Sequence, residues 1–203
     1  MFTEAKQFFR KSIEPAALLF ARLGFTPNGL TLLGLFLGLL SCALYVWNRN
    51  TVLFGCLMIF WGLFDVIDGA LARVTNRATK FGSYLDAVCD RVFESFALLA
   101  VGWVSGYWKM CFLLMIGGLL ISYAKARAAM EVQISNDEWP DFMERAERDV
   151  IFVFGLLVWG LFPLLKVFGK DVLFWTLLGL SIAVYGSFFQ RVLRARRLIQ
   201  SRG

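Results

Sequence analysis

Residues 65–90 read DVIDGALARVTNRATKFGSYLDAVCD and bring four aspartates to the point where two apolar runs of the chain meet. Asp65 and Asp68 close the first run three residues apart, and Asp86 and Asp90 open the second run four residues apart. Each spacing places its pair on one face of a helix, and the short segment between the runs lets the two faces meet. We therefore expect the four carboxylates to converge on one site.

The sequence on either side of this stretch is too apolar for a water-soluble protein. Of the 203 residues, 59% are hydrophobic and 18% are charged, whereas about a quarter are charged in a typical soluble domain. Because a bilayer core takes about 20 apolar residues per helix, we predict an all-α integral membrane protein that forms a single domain over residues 1–203. Its six transmembrane helices occupy about 30–192, with spans near 30–48, 51–72, 83–104, 108–128, 150–168 and 172–192.

An amphipathic segment precedes the first predicted span. Within residues 1–22, the apolar side chains of Phe2, Phe8, Phe9, Ile13, Ala17 and Phe20 fall near one helical face. A helix of this kind lies in the membrane interface rather than crossing it. Charged residues interrupt the segment, so we expect a retained interfacial helix and not a signal peptide.

The basic residues indicate how the predicted helices are oriented. With six crossings both termini lie on one side of the membrane, and 16 of the 21 Lys and Arg then fall on that side. The opposite side holds Arg49, Lys109, Lys166 and Lys170, and Arg91 lies within the third span. Because cytoplasmic segments carry the excess of Lys and Arg, we expect a multi-pass protein of a cytoplasmic-type membrane, with both termini and the active site in the cytoplasm.

The composition also excludes several classes of site. The chain has no His, which excludes Ser–His–Asp triads and His-ligated zinc. Its four Cys form no CxxC pair and lie in apolar stretches, so we interpret them as packing residues. No basic module with interleaved aromatics indicates a nucleic-acid partner.

The four aspartates require a partner charge if they converge at membrane depth. Like charges in a low-dielectric site take up protons rather than stay ionised together, and a divalent cation removes that conflict. All-oxygen ligands select hard ions, so we expect Mg²⁺ or Mn²⁺, with two ions for four acids. The small residues Gly69 and Ala72 leave room for a bulky ligand, and Arg73 offers a fork for phosphate.

Spacing alone also allows two alternative roles for the acidic stretch. Arg73 and Arg91 could neutralise the aspartates in a structural ion-pair cluster. Buried acids in membrane helices also form proton and cation pathways, which would make the protein an ion-conducting protein rather than an enzyme.

The stretch from 65 to 90 resembles the signature of the CDP-alcohol phosphotransferase family, D-x2-D-G-x2-A-R-x8-G-x3-D-x3-D, at all eight defined positions. The six predicted helices and the N-terminal segment also agree with that family. The resemblance implies transfer of a phosphatidyl-type group from CDP-diacylglycerol or CDP-archaeol to an alcohol, with release of CMP. It favours the enzyme over the ion pathway, because a proton pathway does not require Gly or Arg at these offsets.

The resemblance also implies roles for individual residues. Two divalent metals are expected on Asp65, Asp68, Asp86 and Asp90, with Asp90 as the general base beside Asp86 in the catalytic centre. The segment TPNGLT at 26–31 resembles the contribution that the first helix makes to the CDP-lipid pocket. The residues expected in that pocket are Asn28, Thr31, Asp68, Gly69, Ala72, Arg73 and Gly82.

The acceptor alcohol is predicted from a second group of basic residues. Lys125 and Arg127 end the fourth span, and Arg145 and Arg148 precede the fifth. These four cations suit a phosphomonoester, although cytoplasmic anchoring alone would also explain them. The motifs SY-x-KAR and ERxER resemble the branch of the family that uses inositol phosphate, so the predicted acceptor is inositol 1-phosphate.

Glycerol 3-phosphate and serine stay open as alternative acceptors. The sequence departs from the inositol-phosphate branch at Ala129, where an acid commonly follows KARA, and in the longer segment SNDEWPDF. Members of the family are often homodimers, so a homodimer in the lipid bilayer is expected.

Overall fold

The computed structural model describes residues 13–132 and 143–202, and these residues are almost entirely helical. Helix α1 covers the described residues 13–22. The earlier part of the predicted interfacial helix, including Phe2, Phe8 and Phe9, lies outside the described residues. The remaining elements are α2 (Pro27–Asn48), α3 (Thr51–Val74), α4 (Lys80–Ser105), α5 (Trp108–Glu131), α6 (Arg145–Leu161), β1 (Lys166–Val167), β2 (Lys170–Asp171) and α7 (Val172–Arg202).

Local sequence signals set several helix boundaries. The hydroxyl of Thr26 accepts a hydrogen bond from the backbone N–H of Gly29 (3.1 Å), with Pro27 as the first helical residue of α2. Thr79 accepts in the same way from the N–H of Gly82 (2.9 Å) at the start of α4. These are N-terminal caps, which satisfy backbone donors that a helix leaves unpaired. At the end of α3, Asn76 has φ +53°, a left-handed cap residue.

The described chain divides into two compact units. The first consists of Met1–Leu44 and Cys56–Phe96, and the second of Tyr45–Gly55 and Ala97–Gly203. The prediction of a single domain over 1–203 therefore stays a prediction.

In the first unit, the described part of α1 packs against α3. Ala17 of α1 is fully buried in a small core with Leu30, Ala70 and Leu71. Helix α2 approaches α4 closely at Gly38, where a Cβ would lie 2.9 Å from the ring of Phe93. Small residues of this kind allow close helix contacts without a large buried side chain.

In the second unit, α5 and α7 run in the same direction. Tyr107, just before α5, bonds to Asp171, just before α7 (2.8 Å). Fourteen residues further along α5, the carbonyl of Ile121 accepts a hydrogen bond from Arg191 of α7. Helix α6 runs in the opposite direction to α7. The short hairpin joins the end of α6 to the start of α7, and Gly155, in the second half of α6, lies against Thr176, near the start of α7. The end of α5, the start of α6 and the second half of α7 therefore lie at one end of this unit.

Within residues 13–132 and 143–202, four helices are long and apolar enough to cross a membrane, namely α2, α3, α5 and α7. They match four of the six predicted spans. Helix α4 has the predicted position but carries Asp86, Asp90, Arg91 and Glu94. Helix α6 has 17 residues, about 25 Å at 1.5 Å per residue, which is shorter than a hydrocarbon core of about 30 Å. The count of six crossings stays a prediction.

The fifth predicted span differs from the structure at its end. It extends to residue 168, but α6 ends at Leu161 and is followed by Pro163 and a two-stranded hairpin. Proline cannot continue a helix, and the antiparallel pairing of Val167 with Lys170 takes the following residues. Apolar composition therefore placed the end of this helix seven residues too far along the chain, while α6 begins five residues before the predicted span.

Candidate active site

The acidic cluster lies in the first unit, where the last turns of α3 and the first turns of α4 meet. Carboxylate oxygens of Asp65, Asp68 and Asp86 all lie within 4.8 Å of one another. Asp68 is buried, Asp86 is half-buried and Asp65 is exposed. The spacing prediction that the pairs converge is therefore confirmed for these three residues.

Asp90 is the fourth predicted member, one helical turn beyond Asp86 on the same face of α4. It is half-buried and does not belong to the group of three whose oxygens meet. Its assignment as a metal ligand and as the general base therefore stays a prediction.

Helix α2 contributes to the cluster through a hydroxyl group. Thr31 Oγ1 donates to Asp68 Oδ2 at 2.7 Å and lies 3.1 Å from the carbonyl oxygen of Pro27. The hydroxyl partners a buried carboxylate that would otherwise be costly in an apolar environment. This contact joins residues that are far apart in sequence, and spacing alone did not predict it.

Asn28 of α2 lies beside Gly82, the glycine of the acidic motif. A Cβ at Gly82 would be 3.1 Å from Asn28 Oδ1 and equally close to Thr79 Oγ1. The position is therefore tight for any side chain, because the side-chain oxygens of Asn28 and Thr79 both lie close to it. The two α2 residues of the predicted CDP-lipid pocket, Asn28 and Thr31, thus contact motif residues directly.

The guanidinium of Arg73 lies close to Gly69, which precedes it by one helical turn. Its Nη1 would be 3.5 Å from a Cβ at Gly69, and the side chain is exposed. A cavity of about 250 Å³ adjoins the arginine and is lined by Glu14, Ala70, Arg73 and Val74. Arg73 therefore has room to move, and its guanidinium is available to an anionic ligand. Ala72 is half-buried on the same helix.

The predicted acceptor residues lie in the second unit, at the end shared by α5 and α6. Arg127 forms an ion pair with Glu131 at 2.6 Å, and both side chains are exposed. Arg145 pairs with Asp149 at 3.3 Å. The exposed Arg127–Glu131 pair contributes little to stability, whereas Arg145 and Asp149 are half-buried.

The remaining two acceptor residues are less exposed. Arg148 is buried and donates from Nη1 to the carbonyl oxygen of Met143 (3.2 Å), and Lys125 is half-buried. A buried Arg191 lies at the same end of this unit, where it donates to the Ile121 carbonyl one turn before Lys125. Arg191 was not among the predicted site residues. The sequence signal for its burial was an arginine one turn after Ser187 on a helix that is apolar up to that point.

Comparisons with known proteins agree with this site. The family model described as CDP-alcohol phosphatidyltransferase matches residues 25–185. The chain is 29% identical to archaetidylinositol phosphate synthase of Pyrococcus horikoshii, over 98% of this chain and 99% of that protein. It is 34% identical to phosphatidylinositol phosphate synthase of Mycobacteroides abscessus, over 77% of this chain and 73% of that protein.

Solved structures of one enzyme share the fold. Phosphatidylinositol phosphate synthase of Mycobacterium tuberculosis with CDP-DAG bound superposes with a TM-score of 0.78 at 27% identity, covering 90% of this chain and 92% of that one. The same enzyme in complex with manganese and citrate gives a TM-score of 0.79 at 27% identity, covering 90% and 88%.

Proposed function

The chain belongs to the CDP-alcohol phosphatidyltransferase family, and we propose from this premise that it transfers the phosphatidyl-type group of a CDP-lipid to inositol 1-phosphate, releasing CMP. The observation that carries the proposal is the cluster of Asp65, Asp68 and Asp86, with Thr31 bonded to its buried member. Relatives that share 29–34% identity with the chain are synthases of archaetidylinositol phosphate and phosphatidylinositol phosphate.

The acidic cluster suits hard divalent cations. Three carboxylates within 4.8 Å of one another form an all-oxygen donor set, which selects Mg²⁺ or Mn²⁺, and a related structure contains manganese. We assign two such ions to Asp65, Asp68, Asp86 and Asp90. When bound, the ions neutralise the diphosphate and the departing CMP.

The CDP-lipid is assigned to the face of the first unit that carries the motif. Gly69, Ala72 and Gly82 let the nucleotide approach the helices closely, because none of them carries a side chain larger than a methyl group. Arg73 donates its guanidinium hydrogens to the diphosphate in a fork geometry. Asn28 and Thr31 hold the opposite wall, and a related enzyme has been solved with CDP-DAG bound.

Asp90 is assigned the role of general base, which takes the proton of the acceptor hydroxyl. The hydroxyl oxygen attacks the phosphorus that carries the lipid, the bond from that phosphorus to the CMP oxygen breaks, and Asp90 takes the proton. The role is assigned to Asp90 because it is the last acid of the motif and lies one turn beyond Asp86 on α4. General-base help of this kind contributes about 10²–10⁴-fold in rate.

The acceptor's phosphate is assigned to Lys125, Arg127, Arg145 and Arg148 of the second unit. Arg forks and Lys charges suit a phosphomonoester, and these residues lie at one end of that unit. A serine acceptor carries no phosphate and would not need them. Glycerol 3-phosphate would need them as much as inositol 1-phosphate does.

The finer features of the architecture belong to the same proposal. They are six crossings, an interfacial N-terminal helix, both termini and the active site in the cytoplasm, and a homodimer. They are supported by the four spanning helices, by the distribution of Lys and Arg, and by family membership.

The direct test is CMP release by the purified protein. CDP-diacylglycerol or CDP-archaeol would be supplied with Mg²⁺ or Mn²⁺ and one acceptor at a time: inositol 1-phosphate, glycerol 3-phosphate, free inositol or serine. We expect release with inositol 1-phosphate and loss of release on chelation of the metal. Release with another acceptor alone would overturn the acceptor, and ion flux in liposomes without CMP release would overturn the enzyme.

The acceptor assignment has a matched pair of variants on one helix. Lys125→Ala should raise the KM for inositol 1-phosphate about tenfold or more and leave the KM for the CDP-lipid nearly unchanged. Lys109→Ala removes the same charge at the other end of α5 and should change neither value. Equal effects of Lys125→Ala on both substrates would contradict the assignment.

A further inference from the structure

The hairpin between α6 and α7 exposes large apolar side chains in an ordered segment. Leu164 is 91% exposed and Phe168 is 92% exposed, while Leu165 and Val167 are about half exposed. Large apolar groups gathered on one surface mark a site that another apolar phase covers. Helix α7, which is long and apolar enough to cross a membrane, begins directly after the hairpin at Val172, so this segment lies at the edge of the bilayer.

The backbone at the hairpin tip indicates that Phe168 is present for its side chain. Phe168 has φ +49° and Gly169 has φ +75°, the pattern of a type I′ turn. Asn or Gly normally takes the first of these positions, and a bulky residue with positive φ is uncommon and costly. A phenylalanine here gains nothing from backbone conformation, so its exposed ring must serve another purpose.

The hairpin is held firmly to the second unit. Trp175 of α7 donates from Nε1 to the carbonyl oxygen of Val167 (2.9 Å), and its ring lies 6.2 Å from that of Phe168. Asp171 accepts from the Tyr107 hydroxyl (2.8 Å) and from the backbone N–H of Phe174 (2.9 Å). Burial, with the hydrogen bond to Asp171, raises the pKa of Tyr107 to about 12, so the phenol keeps its proton. The tip is therefore rigidly presented.

The charge of the hairpin is positive. Lys166 and Lys170 are both exposed, and Asp171 is the one acidic residue between positions 150 and 203. Its carboxylate is engaged by Tyr107 and by the start of α7. The tip thus combines an apolar ring with two lysines, which matches the acyl boundary and the phosphates of an anionic phospholipid layer.

An exposed tryptophan lies at the same end of this unit. Gly160, at the end of α6, lies against Thr51. A Cβ added at Gly160 would be 3.1 Å from the Cβ of Thr51. Thr51 opens α3 close to Trp47, which is 84% exposed. Tryptophan concentrates at membrane–water interfaces, so the hairpin lies at the level where such anchors collect.

We propose that residues 162–171 form a membrane anchor, in which Phe168 and Leu164 enter the acyl boundary of the leaflet where α7 begins, and Lys166 and Lys170 bind the phosphates of anionic phospholipids. The anchor is independent of the transferase reaction. It holds the α6–α7 junction at a fixed depth, so that α7 enters the membrane in a defined position.

The depth of the tip can be measured with a fluorophore. Full-length protein carrying Cys56→Ser, to remove the exposed cysteine, would be labelled with an environment-sensitive dye at Phe168→Cys, or at Leu164→Cys, which keeps the phenylalanine. In vesicles of phosphatidylcholine and phosphatidylglycerol (3:1), doxyl lipids should quench this dye at least threefold more than a dye at Ser201→Cys, the exposed far end of α7. Aqueous iodide should quench the dye at Ser201→Cys more strongly than the dye at the hairpin. Equal quenching at both ends would overturn the anchor.

The lysines are tested by lipid binding. Native mass spectrometry of phosphatidylglycerol binding should show affinity lower by roughly fivefold for each lysine removed in Lys166→Gln/Lys170→Gln. Lys80→Gln, an exposed lysine at the start of α4 in the first unit, is the control that removes one lysine elsewhere and should bind as the parent does. Unchanged binding by the double variant would overturn the lysine–phosphate contacts.

Discussion

One hydroxyl connects α2 to the acidic motif. Thr31 Oγ1 donates to the buried Asp68 at 2.7 Å, and Asp68 belongs to the group of carboxylates that meets within 4.8 Å. A group that orients a metal ligand supports affinity without binding the metal itself. We therefore predict that Thr31 positions Asp68 in the proposed metal site.

Replacement of this hydroxyl tests that role. Thr31→Val keeps the shape but removes the donor, so we expect the concentration of Mn²⁺ or Mg²⁺ required for half-maximal CMP release to rise about tenfold or more. Direct Mn²⁺ binding, followed by electron paramagnetic resonance, should weaken in parallel. Thr31→Ser keeps the hydroxyl and should stay close to the parent; a serine variant as weak as the valine variant would show that packing, not the hydrogen bond, matters.

Substitution of Asp65 and substitution of Asp90 are expected to affect metal binding and turnover differently. Asp65→Asn removes a member of the close cluster and should lose both metal binding and turnover. Asp90→Asn should retain metal and CDP-lipid binding substantially while kcat falls about 10²–10⁴-fold. Metal titration and single-turnover CMP release distinguish the two. A near-normal kcat for Asp90→Asn would remove it as the general base.

At the scale of elements, close helix contacts depend on glycine. Gly117 of α5 faces Val184 of α7, and Gly155 of α6 faces Thr176 of α7, with no room for a further methyl group at either position. Between apolar helices in a lipid phase, tight packing replaces the hydrophobic effect as the source of association. The arrangement of α5, α6 and α7 therefore rests on these two small residues.

This dependence predicts a stability difference between two glycines. Gly117→Ala forces a methyl group into Val184 and should destabilise the protein by about 1–3 kcal/mol, seen as a lower thermal unfolding midpoint in detergent. Gly179→Ala meets open space in the third turn of α7, and alanine is the better helix former, so the unfolding midpoint should be unchanged or higher. Equal unfolding midpoints for the two variants would show that α5 and α7 do not pack tightly at Gly117.

At the scale of the whole molecule, the number of crossings depends on α4 and on the short α6, and α4 carries the acidic residues. Its first half carries the aspartates and its second half, from Phe96 to Ser105, is apolar. Ionisable groups are tolerated at membrane depth where they line a polar site rather than face lipid. We therefore keep α4 among the six proposed crossings.

Cysteine labelling tests this topology. In the Cys56→Ser background, Arg77→Cys and Lys109→Cys stand at exposed positions beyond the two ends of α4. If α4 crosses, an impermeant maleimide added to intact cells should label residue 109, and residue 77 should be labelled only after the membrane is opened. Labelling of both from one side would show that α4 does not cross.

Much of the site could be predicted from residues 65–90 because the relevant physics is local. Aspartates three and four residues apart share a helical face whatever surrounds them, and the structure confirms that Asp65, Asp68 and Asp86 meet. Run length and hydropathy likewise located α2, α3, α5 and α7. The end of α6 was predicted too late in the chain because apolar composition alone cannot distinguish the last turns of a helix from an apolar hairpin.

The sequence by itself determined the family, the acidic motif and the apolar helices, since these depend on residue type and on spacing along one chain. Only the tertiary structure decided that Thr31 partners Asp68, that Asn28 meets Gly82, and that Arg127 and Arg145 pair with acids of their own helices. Such contacts depend on side-chain conformation and on how separate helices pack, and neither follows from the period of a pattern. The exposed Phe168 at the hairpin tip belongs to the same class, because a backbone conformation rather than an apolar run determines where its ring lies.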